Sequence, residues 1–316
     1  MGRTDRPDHS GVLKRPIVYA ITGPTAVGKT ALSLEIAEHL GAEIVSCDSR
    51  QVYRELTIGT AKPTEAELGR VRHHFIDERS LSEPWSAGTF ADAAESRIAG
   101  LHASGKEALV VGGSTLYLHA LAHGLSPLPA ADPATREELN QVALTDAGRQ
   151  ALYDELREVD PEAAATLDPT KSQRLVRFVE VYRSTGRPAS SYWREASPPR
   201  FNVRVVVLDR PREELYARIH SRVDAMLEEG LLDEVRALRE RGWVRETAPV
   251  MRTIGYQEPL RFLDGDLAYD EMVEVLKQNT RRYAKRQLTW FRRDVSYVWR
   301  RADSSLGDVL AAFENP

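Results

Sequence analysis

The chain has 316 residues, of which 42% are hydrophobic and 28% charged, a composition typical of a folded globular protein and not of a disordered or fibrous one. Its formal net charge of -4 argues against indiscriminate binding to DNA, and its single cysteine, Cys47, excludes an internal disulfide and a cysteine-rich zinc site. No stretch reaches the roughly 18–20 apolar residues that a membrane span needs, and the first residues lack the apolar run of a signal peptide, so we expect a cytoplasmic protein with no membrane or DNA partner.

The first predicted elements are a strand, a loop and a helix. Residues 1–15 form a polar segment that we expect to be a flexible tail, and residues 16–22 are a β-branched apolar run typical of a buried strand. Apolar residues at helical spacing follow over 30–40, and Gly41 ends that pattern. Three further strand-like runs each end at Asp or Gly, as parallel strands do when their carboxyl ends face a ligand: 43–47, 108–111 and 203–208.

The pattern changes between residues 118 and 200. Strand-like runs disappear there, helical spacing dominates, and prolines separate the segments. We therefore expect an all-helical insertion domain, 118–200, between the two parts of an α/β core domain, 16–117 and 201–316. Helices are predicted after the insertion over 211–229, 231–241 and 269–292.

The segment between the first strand and the first helix carries a phosphate-binding signature, G-x-x-x-x-G-K-[ST], in full. Its glycines let backbone N–H groups turn inward around phosphate oxygens, Lys29 adds a positive charge, and Thr30 can hold Mg²⁺, the one cofactor predicted here. Such a loop recognises a diphosphate group, so ATP is a candidate ligand and not a necessary substrate. The predicted diphosphate-binding residues are Gly23, Pro24, Thr25, Ala26, Val27, Gly28, Lys29 and Thr30.

Two motifs that often accompany this loop are missing. No Asn of the chain begins an N-K-x-D sequence, which removes a guanine-nucleotide switch from consideration. No strand of four apolar residues ends in Asp-Glu, the arrangement by which motor ATPases hold magnesium and water. ATP hydrolysis is therefore not expected to be the main reaction.

Asp48 follows the second predicted strand, in the sequence DSRQVY. In a doubly wound sheet this position lies beside the phosphate loop and faces the ligand. A carboxylate there can accept a proton or a hydrogen bond from an attacking group. Two other roles stay open for Asp48 at this stage, support of a magnesium site and capping of a helix N-terminus.

Two segments are strongly basic although the whole chain is slightly acidic. Seven Lys or Arg and no acid lie between Lys277 and Arg293, and seven basic residues face two glutamates between Lys171 and Arg200. Clustered cations of this kind suit the phosphate backbone of a nucleic acid. Charge alone fits a solvated helix face equally well.

In combination, these motifs resemble those of the tRNA dimethylallyltransferases, also called tRNA isopentenyltransferases. The resemblance extends in order over nearly the whole chain. It departs from the family pattern in VGGSTLY, where Thr115 replaces the usual glycine, and before HHFID, where Arg72 replaces the usual proline. The motifs are GPTAVGKT (23–30), DSRQVY (48–53), IGTAKP (58–63), HHFID (73–77), VGGSTLY (111–117), LSPLPAADP (125–133), QRLVR (173–177), RTIGYQE (252–258), YDEM (269–272) and AKRQLTWFR (284–292).

The resemblance implies an α/β fold, a P-loop NTPase (kinase-like) parallel sheet core with an all-helical insertion domain that binds tRNA. It implies a transferase of the bacterial type, and we separately expect the protein to be a monomer. Its reaction moves the dimethylallyl group of dimethylallyl diphosphate to N6 of the adenine at position 37 of tRNA, next to the anticodon, and releases diphosphate. Asp48 then meets N6 and Arg222 binds the diphosphate. The catalytic residues implied are Asp48, Arg222, Thr30 and Lys29.

The resemblance also assigns contacts with the anticodon stem-loop of tRNA, and the basic tract of the last long helix joins them. These positions suit an RNA loop whose target base is splayed out of the stack. The predicted tRNA-binding residues are Asp48, Ser49, Arg50, Gln51, Ser114, Arg136, Gln173, Arg174, Leu175, Val176, Arg177, Arg252, Thr253, Ile254, Gly255, Tyr256, Gln257, Arg281, Arg282, Lys285 and Arg286.

Two other functions stay open from the sequence. A small-molecule kinase would use the same phosphate loop and Asp48 to position a phosphoryl group, but it would not need the basic tract at 277–293. A non-catalytic RNA-binding protein would explain that tract, but it would leave the complete phosphate loop and Asp48 without a role.

Overall fold

The structure is a computed structural model that describes residues 15–168, 172–245 and 248–314. Of the predicted tail, 1–15, only Arg15 lies within these residues. The chain divides into two compact units, one formed by Met1–Ala122 and Pro199–Pro316 and the other by His123–Pro198.

The first unit is built on a six-stranded sheet in which every pairing is parallel. The strands are β1 (Ile17–Thr22), β2 (Ala42–Ser46), β3 (His73–His74), β4 (Glu107–Val111), β5 (Asn202–Asp209) and β6 (Val298–Arg301). Their order across the sheet is β3-β2-β4-β1-β5-β6. Successive residues of β1 enter two separate apolar cores, with Val18 and Ala20 in one and Ile21 in the other, because helices cover both faces. The predicted parallel α/β core is confirmed.

The helices carry the remaining regular structure, with short 3₁₀ segments at Ile58–Thr60, Ala189–Glu195 and Pro249–Arg252. They are α1 (Lys29–Leu40), α2 (Glu65–Arg70), α3 (Ala87–Ala103), α4 (Thr115–His123), α5 (Pro133–Val142), α6 (Asp146–Val159), α7 (Pro161–Ala165), α8 (Ser172–Thr185), α9 (Arg212–Glu228), α10 (Leu231–Glu240), α11 (Gln257–Leu263), α12 (Tyr269–Phe291) and α13 (Leu306–Glu314). Within the three described ranges, no helix has the length and apolarity that crossing a membrane requires.

The second unit is helical and has its own core, built around Leu156, Leu175 and Val179. Its described residues, 123–168 and 172–198, contain no strand. The sequence places the start of the insertion at 118, whereas the compact unit starts at His123. The difference arises because α4 is one continuous helix, whose Leu118 and Leu121 belong to the core of the first unit.

Candidate active site

The phosphate loop connects the end of β1 to the first residue of α1. Gly23 and Gly28 adopt φ angles of 146° and 108°, which side-chain-bearing residues rarely adopt. A Cβ on Gly23 would lie 2.6 Å from the carbonyl oxygen of Leu208, so the close approach to β5 also requires glycine. No side chain caps α1, so the N–H groups of its first turn are available to an anion.

Lys29 folds back over this loop. Its Nζ donates hydrogen bonds of 2.9 Å to the carbonyl oxygens of both Gly23 and Pro24. Burial and the nearby charge of Arg222 lower the pKa of Lys29 to about 7, against the opposing effect of Asp48. A negatively charged ligand in the loop would favour the protonated lysine.

Asp48 lies just beyond the carboxyl end of β2, as predicted. Its Oδ1 accepts hydrogen bonds from the backbone N–H groups of Arg50, at 2.8 Å, and Gln51, at 3.3 Å. Within the described residues, Oδ2 has no hydrogen-bond donor. One oxygen therefore fixes the carboxylate, as in a capping interaction, while the other stays available to a substrate.

Three arginines lie near the loop: Arg210 in the connection between β5 and α9, and Arg218 and Arg222 on α9. Arg210 Nε donates to the carbonyl oxygen of Val27 at 2.7 Å, and Arg218 Nε donates to that of Ala26 at 2.8 Å. Arg222 lies one turn beyond Arg218 on α9, and burial lowers its pKa while the charge of Asp48 acts in the opposite direction. Because arginine stays protonated at any physiological pH, these residues supply fixed positive charge to an anion site.

Hydrogen bonds connect the segment after Asp48 to two other segments that contain predicted tRNA-binding residues. The N–H of Ser49 donates to Ser114 Oγ at 2.9 Å, and Arg50 Nε donates to Thr253 Oγ1 at 2.8 Å. Thr115, which departs from the family pattern, is simply the first residue of α4. The structure thus brings the predicted 48–51, 114 and 252–257 segments together.

Glu234 on α10 joins the 3₁₀ segment 58–60 to the segment 252–257. Its Oε2 accepts from the N–H groups of Thr57 and Ile58 at 3.1 and 2.8 Å, and its Oε1 accepts from Gly59 at 3.2 Å. The hydroxyl of Tyr256 donates to the same Oε1 at 2.7 Å. Sequence reasoning missed Glu234, because nothing in its own helix distinguishes it from a solvent-facing acid.

Gln287 on α12 is a second residue that sequence reasoning missed. Its side chain is buried and forms hydrogen bonds with Thr25 in the phosphate loop and with Gly113 in the turn that follows β4. The only sequence signal was its membership of the AKRQLTWFR motif, which gave it no role. Arg210 and Arg218 were not among the predicted site residues either, although Arg218 and Arg222 share one helix face by their spacing of four.

Several predicted tRNA contacts are buried instead. Leu175 and Val176 are 0% and 3% exposed in the core of the second unit, so the expectation that their side chains contact tRNA is corrected. Helical spacing turns them inward while Gln173 and Arg174 stay exposed on α8. Tyr256 is also 0% exposed, and its ring packs against Gly59, so the expectation that its side chain contacts tRNA is corrected as well.

Two predicted RNA-binding arginines neutralise a buried carboxylate in the second unit. Glu180 is 0% exposed, and its Oε2 accepts from Arg136 Nη2 at 2.6 Å and from Arg177 Nη1 at 3.1 Å. Both arginines remain partly exposed. Their first role is therefore to satisfy Glu180, because an unpaired buried charge is costly.

The basic tract of α12 is split between solvent and the neighbouring helix. Arg282, Lys285 and Arg286 are exposed, whereas Arg281 contacts His220 and the ring of Tyr216 on α9. Arg252 is exposed, and its Nε donates to the carbonyl oxygen of Arg245. Of the remaining predicted contacts, Ile254 and Gly255 lie in the loop before α11, and Gln257 is the first residue of that helix.

The fold and this site define a P-loop α/β protein in which the carboxylate of Asp48 lies near Lys29 of the phosphate loop. Residues 51–294 match the family model described as IPP transferase. The tRNA dimethylallyltransferase of Salinibacter ruber is 56% identical over 299 residues, which cover 94% of this chain and 92% of that protein. That of Chlorobium limicola is 44% identical over 308 residues, covering 96% and 97%. The chain belongs to the IPP transferase family of tRNA dimethylallyltransferases.

Solved structures agree with this assignment. The full-length tRNA isopentenylpyrophosphate transferase of Bacillus halodurans superposes with a TM-score of 0.69 at 38% identity, over 95% of this chain and 97% of the other. A eukaryotic dimethylallyltransferase, described as acting on tRNA, gives a TM-score of 0.77 at 29% identity, over 91% of this chain and 74% of the other.

Proposed function

We propose that this chain is a tRNA dimethylallyltransferase that moves the dimethylallyl group of dimethylallyl diphosphate to N6 of adenine 37 in tRNA, and that it acts as a monomer in the cytoplasm. The observation that carries this function is Asp48, which holds one free carboxylate oxygen beside a complete phosphate loop. Family membership supports the same reaction.

The diphosphate is the leaving group in this reaction. Negative charge grows on its oxygens as the allylic C–O bond breaks, and donors already in place stabilise that charge most strongly. The first-turn N–H groups of α1, Lys29 and Arg222 supply such donors. The planar guanidinium of Arg222 can bind two phosphate oxygens together.

Asp48 acts on the nucleophile. The exocyclic N6 amine is weakly nucleophilic because its lone pair is delocalised into the adenine ring. As the new C–N bond forms, the proton of N6 passes to Oδ2 of Asp48, the oxygen without a donor. General-base assistance of this kind contributes about 10²–10⁴ in rate.

Mg²⁺ fits the site if the diphosphate supplies most of its ligands and the protein supplies few. The described residues contain no cluster of three or more His, Cys, Asp or Glu that could hold a metal, and Mg²⁺ commonly takes few protein ligands together with substrate phosphates. The exposed hydroxyl of Thr30 is the protein ligand in this proposal. The ion would add positive charge at the leaving group.

The tRNA contacts fall on both units of the chain. In the first unit we assign them to the loop residues 48–51 and 252–257 and to the exposed cations of α12. In the second unit we assign them to Gln173 and Arg174 on α8. A base in an anticodon loop is reached by splaying it out, which these polar loops can accommodate.

The experiment that tests this function incubates the protein with Mg²⁺, unmodified tRNA and labelled dimethylallyl diphosphate, with ATP and small acceptors in a parallel reaction. Nucleoside analysis of the recovered tRNA identifies the product. We expect N6-dimethylallyl adenosine at position 37. Phosphate transfer from ATP without labelled tRNA would instead establish a kinase.

A further inference from the structure

Gln287 uses both polar atoms of its amide inside the first unit. The side chain is 2% exposed. Its Oε1 accepts a hydrogen bond from the backbone N–H of Thr25 at 2.9 Å, and its Nε2 donates to the carbonyl oxygen of Gly113 at 2.8 Å. The amide therefore links α12 to the phosphate loop and to the turn after β4.

The N–H of Thr25 and the carbonyl of Pro24 belong to the same peptide group. Gln287 holds the N–H side of this peptide, and Lys29 Nζ donates to its oxygen at 2.9 Å. Because a peptide group is planar, fixing its N–H also fixes the direction of its carbonyl. The orientation of Lys29 thus depends on Gln287 through one rigid peptide.

The turn after β4 fits closely around the same amide. A Cβ on Gly113 would lie 2.5 Å from Gln287 Nε2 and 3.6 Å from Lys29 Nζ. A Cβ on the preceding Gly112 would lie 2.0 Å from the carbonyl oxygen of Cys47. Glycine at 113 therefore leaves the space that the amide occupies.

We propose that Gln287 is a positioning residue for the diphosphate, acting through the Pro24–Thr25 peptide on Lys29. By engaging the N–H of Thr25, it withdraws that donor from the anion. The N–H of Val27 donates to the Pro24 carbonyl at 3.3 Å, so the anion is left with the N–H of Ala26 and those of the first turn of α1. This inference rests on the proposed function in taking diphosphate as the ligand. It predicts that changes at Gln287 weaken diphosphate binding and leave tRNA binding intact.

Gln287→Glu is the sharpest substitution, because it preserves the shape of the side chain. An ionised carboxylate still accepts from Thr25 but places an oxygen against the carbonyl of Gly113, where a donor is needed. A protonated carboxyl donates to Gly113 and restores the pattern of the amide. Lys29 is the charged group near this position, and the charges of Arg222 and Asp48 act on Lys29; all three residues are present in both proteins.

The test measures the affinity of the purified protein for inorganic pyrophosphate with Mg²⁺, the KM for dimethylallyl diphosphate, and the Kd for tRNA, from pH 5.5 to 8.5. Gln278→Glu is the matched control, because Gln278 lies exposed on the same helix. Gly113→Ala is a second variant that displaces the amide from the opposite side, so the inference does not depend on one substitution folding.

We expect Gln287→Glu at pH 8 to weaken pyrophosphate binding by about tenfold or more and to leave the Kd for tRNA within about twofold of the control. The ratio of variant to wild-type affinity should rise as pH falls. Pyrophosphate affinity within about twofold of the control at every pH, in both Gln287→Glu and Gly113→Ala, would overturn the inference. A wild type that binds pyrophosphate but modifies no tRNA would contradict the proposed function instead, and the pyrophosphate comparison would still decide the role of Gln287.

Discussion

The hydroxyl of Tyr256 donates a 2.7 Å hydrogen bond to Oε1 of Glu234, the carboxylate that also holds the backbone of the 57–59 segment. The ring of Tyr256 lies so close to Gly59 that a Cβ there would be 2.6 Å from its Cε2. Gly59 and Tyr256 come from two different sequence motifs. One acid on α10 and one buried ring therefore join the loops that border Asp48.

Replacing Tyr256 with Phe tests this connection. The substitution keeps the ring and removes one hydrogen bond to a charged acceptor, so the free energy of unfolding should fall by about 1.5–3 kcal/mol. Urea unfolding measures the change. Tyr269→Phe is the control, since Tyr269 is 45% exposed and should leave stability unchanged. Equal stabilities of the two variants would show that Glu234 needs no donor from Tyr256.

The lowered pKa of Lys29 predicts proton uptake when a diphosphate binds. In the free protein this pKa is about 7, so the lysine is largely neutral at pH 8. A bound anion favours the charged form and raises the pKa, so binding takes up a proton, and affinity falls as pH rises through 7. Calorimetry of pyrophosphate binding in buffers of different ionisation enthalpy measures the uptake.

Lys29→Met provides the control for that measurement, because pyrophosphate itself titrates in the same range. The protonation of pyrophosphate contributes equally to the proton uptake of wild type and variant. The difference in uptake between the two proteins therefore reports the protonation of Lys29. We expect greater proton uptake by the wild type at pH 8 and no difference near pH 5.5. Identical uptake by both proteins at pH 8 would mean that Lys29 is already charged before the ligand binds.

Two arginines on α8 should separate stability from RNA binding. Arg177→Met removes a partner of the buried Glu180, and loss of a buried-pair partner costs up to about 3–5 kcal/mol, reduced here because Arg136 remains. Arg174→Met changes an exposed side chain whose guanidinium lies 6.0 Å from the centre of the Phe178 ring, so it should lower the unfolding free energy by at most about 1 kcal/mol. Thermal and urea unfolding of the full chain measure both effects.

For tRNA affinity, we expect Arg174→Met to have a larger effect than Arg177→Met. Arg174→Met should weaken binding and reduce the slope of log K against log salt concentration by about 1, the signature of one lost phosphate contact. A filter-binding titration over several salt concentrations measures this slope. An unchanged slope for Arg174→Met would remove α8 from the tRNA-binding surface.

The sequence predicted the parts of this site that depend on local geometry. Residues 23–30 require a loop between a strand and a helix, and Asp48 follows from the rule that ligands bind at the carboxyl ends of parallel strands. The late helix was predicted as 269–292 and spans Tyr269–Phe291. Each of these predictions depends only on residues that are close together in the sequence.

The residues that sequence reasoning missed act over long separations. Gln287 bonds to Thr25 across 262 positions, and Glu234 bonds to Ile58 across 176. No periodicity or spacing in a single sequence reports such pairs. The opposite error arose at Leu175 and Val176, which were assigned to tRNA with their whole motif although helical geometry turns them into the core.

The role of Asp48 as the base is tested most directly by the rate of C–N bond formation in Asp48→Asn. The rate is measured in a single turnover, with the enzyme in excess over labelled tRNA and with dimethylallyl diphosphate at a saturating concentration. An asparagine oxygen can still accept from Arg50 and Gln51 but cannot take a proton from N6. Asp92→Asn, an exposed change on α3, is the control. We expect the rate to fall by about 10²–10⁴ with the Kd for tRNA unchanged. A rate within about threefold of the control would contradict the role of Asp48 as the base.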